Sequence, residues 1–345
     1  MEIEELTEPP SSRQINLNTL IPKTAENNFF YKNGLSKIIT RLTVKVHSDI
    51  SQCEYLWKQY SKNQTLFQLW DFRKSWFEGY QYTPFFYTIY EGKKIRGVLP
   101  LWFNEDDKIY EWFGGYWPED NVFFVDDPAY IALLLKIAPN PLELLAILPE
   151  SIEGLDLVEG LQEDEYKFIL DIGQFRSMDQ LLQSLSKKHR HNLRHEYHKF
   201  DSYPLETIWQ NTFDEKLFGK LIGLSKERFG ESGVDASSFM DPKRCKTIKR
   251  IAENQGKYKL YFLFVKIQNH LALVDVIATY KNTYHLLIGG ANDTSRFPGI
   301  GVFITYFEFE DAIRRGMDRI DVLQIDNNWK HKYFAKKRML KFVKK

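Results

Sequence analysis

Apolar and polar residues follow two rhythms along this chain, one of period two and one near 3.6. The first forty residues follow neither. They are polar, broken by Pro9-Pro10-Ser11-Ser12, and predict a flexible arm over 1–37. From about Ile38, ITRLTVKVHS predicts a strand, and SDISQCEYLWKQYSKN predicts a helix capped by Ser48 or Asp49. TPFFYTIYEGKKIRGVLPLWF predicts a hairpin whose β-rich runs flank Glu91-Gly92-Lys93. Short strands in IYEWFGGYW and NVFFVDD follow. DPAYIALLLKIAPN predicts a helix that Pro139 ends, and YKFILDI, residues 166–172, a buried strand.

A run of helices comes next. SMDQLLQSLSKKHRHNLRHEYHKF predicts the first, FDEKLFGKLIGLSKERFG the second with Gly230 as its C-cap, and DPKRCKTIKRIAENQG the third, ending at Gly256. Three strands succeed them in KLYFLFVKIQ, HLALVDVIATY and YHLLIGGAN. A helix in VFITYFEFEDAIRRG ends at Gly316, and RIDVLQI predicts a last strand. Each half of the chain thus reads as helices, an antiparallel meander and a closing α/β crossover, with no repeat at the residue level. The order predicts an α/β (α+β) protein of two lobes, each a mixed, mostly antiparallel sheet flanked by helices. A length of 345 residues, long for one compact domain, agrees with two lobes.

Composition narrows the class. A net charge of +1 gives no global field favouring nucleic acid or membrane. The start MEIEELTE is acidic and the end KHKYFAKKRMLKFVKK is basic, a tail that is either solvated or phosphate-binding. Aromatics at 15% supply rings for apolar pockets. Cys53 and Cys245 lie far apart and outside any CxxC, which predicts no disulfide framework and a reducing compartment. No apolar run reaches the ~20 residues that span a bilayer. The acidic start does not resemble a signal peptide. These features predict a soluble, cytoplasmic protein.

Two stretches carry candidate chemistry. Ser184–Ser202 holds four histidines and five Lys or Arg. On a helix, Leu182, Leu185, His189, Leu193, Tyr197 and Phe200 form a stripe for the core. His191, His195 and His198 share another face, at a spacing that could present imidazoles to zinc. Lys187, Arg190 and Arg194 crowd that face with cations, no carboxylate or cysteine completes a ligand shell, and HEYH fails the HExxH spacing. No metal is expected; a solvated basic helix and an anion-facing one both remain open. The second stretch, Arg296-Phe297-Pro298-Gly299-Ile300-Gly301, lies between a predicted strand and helix. Glycines there bring backbone amides close to an anion, and a helix N-terminus adds free donors and the positive end of its dipole. The loop is either such a pyrophosphate cradle or a plain turn. It is neither a Walker loop nor GxGxxG.

The spelling R-x-x-G-x-G between strand and helix resembles the coenzyme A loop of the GNAT acyltransferase superfamily. Other stretches resemble its CelD-like acetyltransferase branch, related to the Fem peptidyltransferases. GVLPLW (97–102) is similar to a strand of that branch. FGGYWPEDN (113–121) is similar to its G-x-x-x-x-D-Y turn, with Asp120 in place and Asn121 replacing the Tyr. SKKHRHNLRHEYHKF resembles its basic R-x-N-x-R helix through Arg190, Asn192 and Arg194. AIRRGMDRIDVLQIDNNWKHKYF resembles its terminal helix, glycine, strand and closing lysine segment. In all, about residues 40–340 take part.

The resemblance implies a GNAT-like lobe over 38–172. It implies a second over 173–345, preceded by a helical insertion, that holds the donor at Arg296, Pro298, Gly299, Ile300 and Gly301. Asp120, Arg190, Asn192 and Arg194 would face substrate. Acetyl-CoA or a longer acyl-CoA would be the co-substrate. An amine, on a small molecule or peptide, would attack it directly in a ternary complex without a covalent enzyme intermediate. Asp275 leads the candidates for general base because it interrupts the apolar run LALVDVIATY, where a desolvated carboxylate is pushed up in pKa; a charge on a strand's wet face is the alternative. Asp326 is second and His285 third. Lys330 could hold a phosphate or the oxyanion, and Tyr284 or Tyr306 could protonate the leaving group. Two other functions stay open: aminoacyl transfer from aminoacyl-tRNA, as the Fem relation implies, and a non-catalytic binding module. DNA and membrane are not expected partners, and a monomer is expected.

Overall fold

The computed structural model describes residues 14–15, 41–152, 160–231 and 238–345. The arm expected over 1–37 lies outside these apart from Gln14–Ile15. The chain divides into two units, one of Met1–Phe77, Gln81–Glu165 and Arg338–Lys345, the other of Glu78–Tyr80 and Tyr166–Lys337. The expected second lobe over 173–345 is thus observed over 166–337, and the last eight residues belong to the first unit.

The first unit is built on strands β1 (Gln14–Ile15), β2 (Leu42–His47), β3 (Pro84–Glu91), β4 (Lys94–Asn104), β5 (Ile109–Trp112), β6 (Phe124–Val125), β7 (Leu142–Ile147) and β8 (Leu161–Glu163), together with the C-terminal β16 (Leu340–Lys344). Its order is β1-β2-β3-β4-β5-β7-β16-β8, with β6 beside β4. Neighbours are antiparallel except β5 and β7. Helices α1 (Ile50–Tyr60), α2 (Trp70–Tyr80) and α3 (Ala129–Ile137) accompany the sheet, the last residues of α2 counting with the second unit. Asp49 caps α1, its Oδ1 accepting from the Gln52 amide at 3.0 Å. Helix α3 buries nearly its whole length, including Ile131, Leu133 and Leu134, in a core shared with β2, β4 and β7.

The basic tail keeps Lys332, Lys336, Arg338 and Lys345 exposed while its apolar residues join the fold. Leu340 and Phe342 of β16 are buried in the same core. The Lys344 ammonium donates to the carbonyls of Leu135, Lys136 and Ala138 at 3.3, 3.1 and 2.6 Å, capping the C-terminal end of α3.

The second unit holds β9 (Lys167–Leu170), β10 (Leu205–Gln210), β11 (Lys259–Ile267), β12 (His270–Tyr280), β13 (Thr283–Asn292), β14 (Arg319–Gln324) and β15 (Ala335–Lys337), ordered β10-β11-β12-β13-β14-β9-β15. Among the described strands of this unit only β13 and β14 run parallel, and helix α8 (Ile300–Arg314) makes the crossover between them. The predicted long basic helix is two helices, α4 (Met178–Ser184) and α5 (Lys187–Asp201). Leu185 is extended between them, and Ser186 caps α5 by accepting from the His189 amide at 3.3 Å. Helix α6 (Glu215–Glu231) runs through Gly230 rather than ending there. Helix α7 (Pro242–Glu253) starts on the Asp241 cap and ends at Asn254, before Gly256.

The predicted apolar stripe of α5 faces the core. Leu193 and Phe200 are buried, and the Tyr197 ring stacks on Tyr306 of α8 with centroids 4.0 Å apart. Both units therefore follow one plan, an antiparallel meander closed by a helical crossover to a parallel neighbour, as the order of elements predicts.

Candidate active site

The site grows out of the one parallel pair in the second unit. β13 and β14 are paired only from Thr283–Arg319 to His285–Asp321, although β13 runs on to Asn292. On its other edge β13 loses regular register with β12 between Val274 and Ile277, and Gly290 takes φ +85° there. A crevice beyond the carboxyl ends of parallel strands is where open α/β sheets bind ligands. The loop after β13 leads into α8 at this end. Asp293 folds it, its Oδ1 accepting from the Ser295 hydroxyl at 2.8 Å and the Arg296 amide at 2.9 Å. Gly299 sits at the N-cap position with φ +94°, a left-handed conformation that favours glycine. Ile300 is fully buried and anchors the first turn. A Cβ at Gly301 would meet nothing closer than Asn292 Nδ2 at 3.9 Å. Arg296, Pro298, Gly299, Ile300 and Gly301 thus form one continuous turn, with the exposed Arg296 guanidinium 2.9 Å from His270 Nε2.

Helix α5 reaches this loop through residues outside the R-x-N-x-R pattern. A Cβ built on Gly299 would lie 2.0 Å from Glu196 Oε2, so the carboxylate rests against the glycine at the head of α8. Lys199 Nζ lies 3.0 Å from the same oxygen and also donates to the Pro298 carbonyl. Arg190 is half-buried, Asn192 hydrogen-bonds Tyr333, and the exposed Arg194 pairs with Asp179 at 3.0 Å. His191 and His195 stack with centroids 6.1 Å apart, but no group of three or more metal-ligating side chains exists among the described residues.

A cluster of buried ionisable groups lies between β12 and α8. Asp275 of β12 is 1% exposed. Its Oδ1 accepts from the Gly290 amide at 3.1 Å, and its carboxyl is hydrogen-bonded to Glu308 of α8. Burial pushes the Asp275 pKa up to about 7, against the Gly290 hydrogen bond and the Arg228 cation, which pull it down. Glu308 is raised well above the usual range, by burial and then by the charges of Asp275 and Asp311. Arg228 of α6 donates to the Gly290 carbonyl at 2.7 Å and to Asn292 Oδ1 at 2.8 Å. The buried Tyr284 hydroxyl has no hydrogen-bond partner among the described residues. Glu308 and Asp311 had a visible signal: both fall on the stripe of α8 that carries Ile300, Ile304 and Ala312, where carboxylates are out of place. Glu196, Lys199 and Arg228 had none, because charged residues on basic or amphipathic helices are ordinary.

Other candidates sit apart. His285 and Asp321, the last pair of the parallel ladder, are both buried, with Nδ1 3.2 Å from Asp321 Oδ2. Lys167 Nζ approaches the same oxygen at 2.7 Å. Despite desolvation, Lys167 and His285 hold the Asp321 carboxyl far below its ordinary pKa. Asp326 Oδ1 accepts from the amides of Trp329 and Lys330, both at 3.0 Å, and its other oxygen pairs with His331. The Lys330 ammonium is buried and donates to the Gln324 carbonyl at 2.6 Å and the Leu323 carbonyl at 3.4 Å. These two residues close the end of β14. Asp120 belongs to the first unit, where it is buried at φ +52° close to the Arg73 guanidinium.

Residues 187–331 match the family model described as Acetyltransferase (GNAT) domain. No curated protein matches the chain. Among solved structures, FemX aligns at TM-score 0.52 and 12% identity, covering 86% of this chain and 96% of its own. L-PGS from Bacillus licheniformis aligns at 0.54 and 13%, covering 86% and 92%. A tandem GNAT protein from the clavulanic acid biosynthesis pathway aligns at 0.53 and 9%, covering 88% and 98%. At these identities the likeness is one of fold, and it extends over both lobes. Domain and fold together define the class, a GNAT-type acyltransferase. The match to the GNAT domain covers residues 187–331, and the fold over the rest of the chain is one that FemX and the tandem GNAT protein share.

Proposed function

We propose that this acyltransferase moves an acyl group from acyl-CoA to an amine by direct attack in a ternary complex. One observation carries the reading. A glycine-cornered loop, Arg296 to Gly301, opens a fifteen-residue helix after β13, whose parallel pairing with β14 stops at His285–Asp321, within the stretch that matches the GNAT domain. Acyl transfer to an amine needs removal of a proton, stabilisation of the oxyanion and departure of the thiolate. Asp275 serves as the base: a pKa of about 7 suits proton uptake near neutrality. Glu308 retains a proton beside it and steadies the pair. The Gly290 amide and carbonyl, held by Asp275 and Arg228, fix the bulged edge of β13 beside the donor. Asp326 and Lys330 act by holding the far end of β14, since the ammonium is engaged with two carbonyls. Arg190 and Arg194 lie on the accessible side of α5 and serve anionic substrate groups.

A second reading, aminoacyl transfer from aminoacyl-tRNA, is favoured by the Glu196 carboxylate resting on Gly299, where a pyrophosphate would seat. The names FemX and L-PGS among structures of the same fold point the same way. The deciding measurement is thermal unfolding with free CoA and a panel of acyl-CoAs, on wild type and Gly301→Glu. That position has room for a side chain, so the substitution adds negative charge with little disturbance of the fold. Ligand at about 100 times its Kd adds about 2.7 kcal/mol of stability. A shift that wild type shows and the variant loses supports the CoA reading. No shift with any CoA, together with tRNA binding that weakens steeply with salt, replaces it with the second.

A further inference from the structure

Helix α5 touches the donor loop through Glu196 and Lys199. The Glu196 carboxylate presses on Gly299, and its side chain is only 15% exposed. Gly299 is the N-cap of α8, so the carboxylate sits beside the positive end of that helix. Lys199 bridges, with one contact to the carboxylate and one to the Pro298 carbonyl of the loop itself. We propose that Glu196 and Lys199 form an exchange latch on the donor loop, Glu196 competing with the donor's phosphate for this seat and Lys199 passing from the carboxylate to the phosphate. This rests on the proposed phosphate-bearing donor and adds two residues that set its affinity.

A methyl group at Gly299 would collide with Glu196 Oε2 at 2.0 Å, so a phosphate oxygen cannot occupy the same surface while the carboxylate is there. Two anions at one helix head repel, so the carboxylate turns away as the phosphate enters. Glu196 follows the exposed His195 on α5, and the movement asked of it is a rotation about its own side chain. Lys199 stays anchored through the Pro298 carbonyl and gains a phosphate partner in place of the one it gives up. The net charge of the Glu196–Lys199 pair is zero against a pyrophosphate, and removing the acid leaves it at +1.

Calorimetric titration of CoA, pantetheine and inorganic pyrophosphate into wild type, Glu196→Gln, Glu196→Asp and Lys199→Met tests this. Glu196→Gln keeps the shape and removes the charge, and is expected to bind CoA and pyrophosphate about tenfold more tightly. Glu196→Asp, shorter by one methylene, should fall between it and wild type. Lys199→Met should weaken both ligands, and pantetheine, which lacks phosphate, should respond to none of the changes. Equal or weaker CoA binding by Glu196→Gln overturns the latch and leaves the CoA reading standing. An equal gain for pantetheine also overturns it, by marking a general loosening. If pyrophosphate alone binds, and more tightly to Glu196→Gln, the latch stands and CoA falls as the donor. If neither phosphate ligand binds any variant, both ideas fall.

Discussion

Gly299 and Gly301 stand two positions apart and ask different things of a side chain. At Gly299, alanine must adopt φ +94° and meet Glu196 Oε2 at 2.0 Å. A left-handed non-glycine residue costs about 1–2 kcal/mol before the clash is counted. Gly299→Ala should therefore lower stability in urea unfolding by at least about 1 kcal/mol and abolish donor binding. Gly301→Ala lies in the first turn of α8 with open space and should be neutral or slightly stabilising. Equal effects from the two would show that conformation at the loop's corner is not what matters. Asp275→Asn carries the chemical counterpart. A positioned base contributes about 10²–10⁴-fold, so kcat should drop by at least about 100-fold. Wild-type kcat should rise through about pH 7 as Asp275 loses its proton, and the variant should lose that limb. The turn conformation at Gly299 and the burial of Asp275 were legible because each breaks a local pattern: a turn before a helix, an acid inside an apolar run. Glu196 and Lys199 were not, because the loop they touch is about a hundred residues away in sequence and only the packing of α5 on α8 joins them.

Among the elements, the last strand was the hardest to see. KHKYFAKKRMLKFVKK reads as charge, yet its Leu340 and Phe342 alternate with lysines at period two and fill a place between β7 and β8. A five-residue strand supported on both edges leaves too few apolar positions to outweigh six or more cations in a composition argument. Phe342→Ala removes a ring that is 5% exposed and should cost about 3–5 kcal/mol, read as a lower urea midpoint. A change below about 0.5 kcal/mol would mean that β16 is not integral to the first unit's sheet. The split between α4 and α5 escaped the sequence for a different reason. Leu182, Leu185 and Leu193 keep helical spacing across the break, and only the serine cap at Ser186 marks it. Hairpins and the α8 crossover, whose signals are local, came through intact.

For the whole chain, the sequence conveyed the doubled plan through the order of its elements. Tertiary packing adds Glu111 of the first unit to the acids of the second that already interrupt apolar patterns in the sequence. In the first unit Glu111 is pushed up to about 7 by burial, against hydrogen bonds from Trp102 at 2.9 Å and Asn104 at 3.0 Å. In the second, Asp275 is raised to about 7 and Glu308 further. In the unfolded chain these carboxyls titrate near 4. Between about pH 4 and 7 the folded chain therefore holds protons that the unfolded chain has released, and stability must fall as pH rises across that window. The contribution of these acids is greatest below about pH 4 and is lost above about 7, opposite to the usual salt-bridged carboxylate. Asp321 is such a usual case: its lowered pKa stabilises the fold above about pH 4 and fails only in stronger acid, so it does not mask the trend. Urea midpoints measured from pH 4.5 to 8 should decline. Glu111→Gln should flatten the slope without touching donor binding, and Asp275→Asn should flatten it together with the loss of the catalytic pH limb. A midpoint that rises across this range in wild type would mean that these carboxyls are charged in the folded chain, and it would remove the ground for assigning Asp275 as a base active near neutrality.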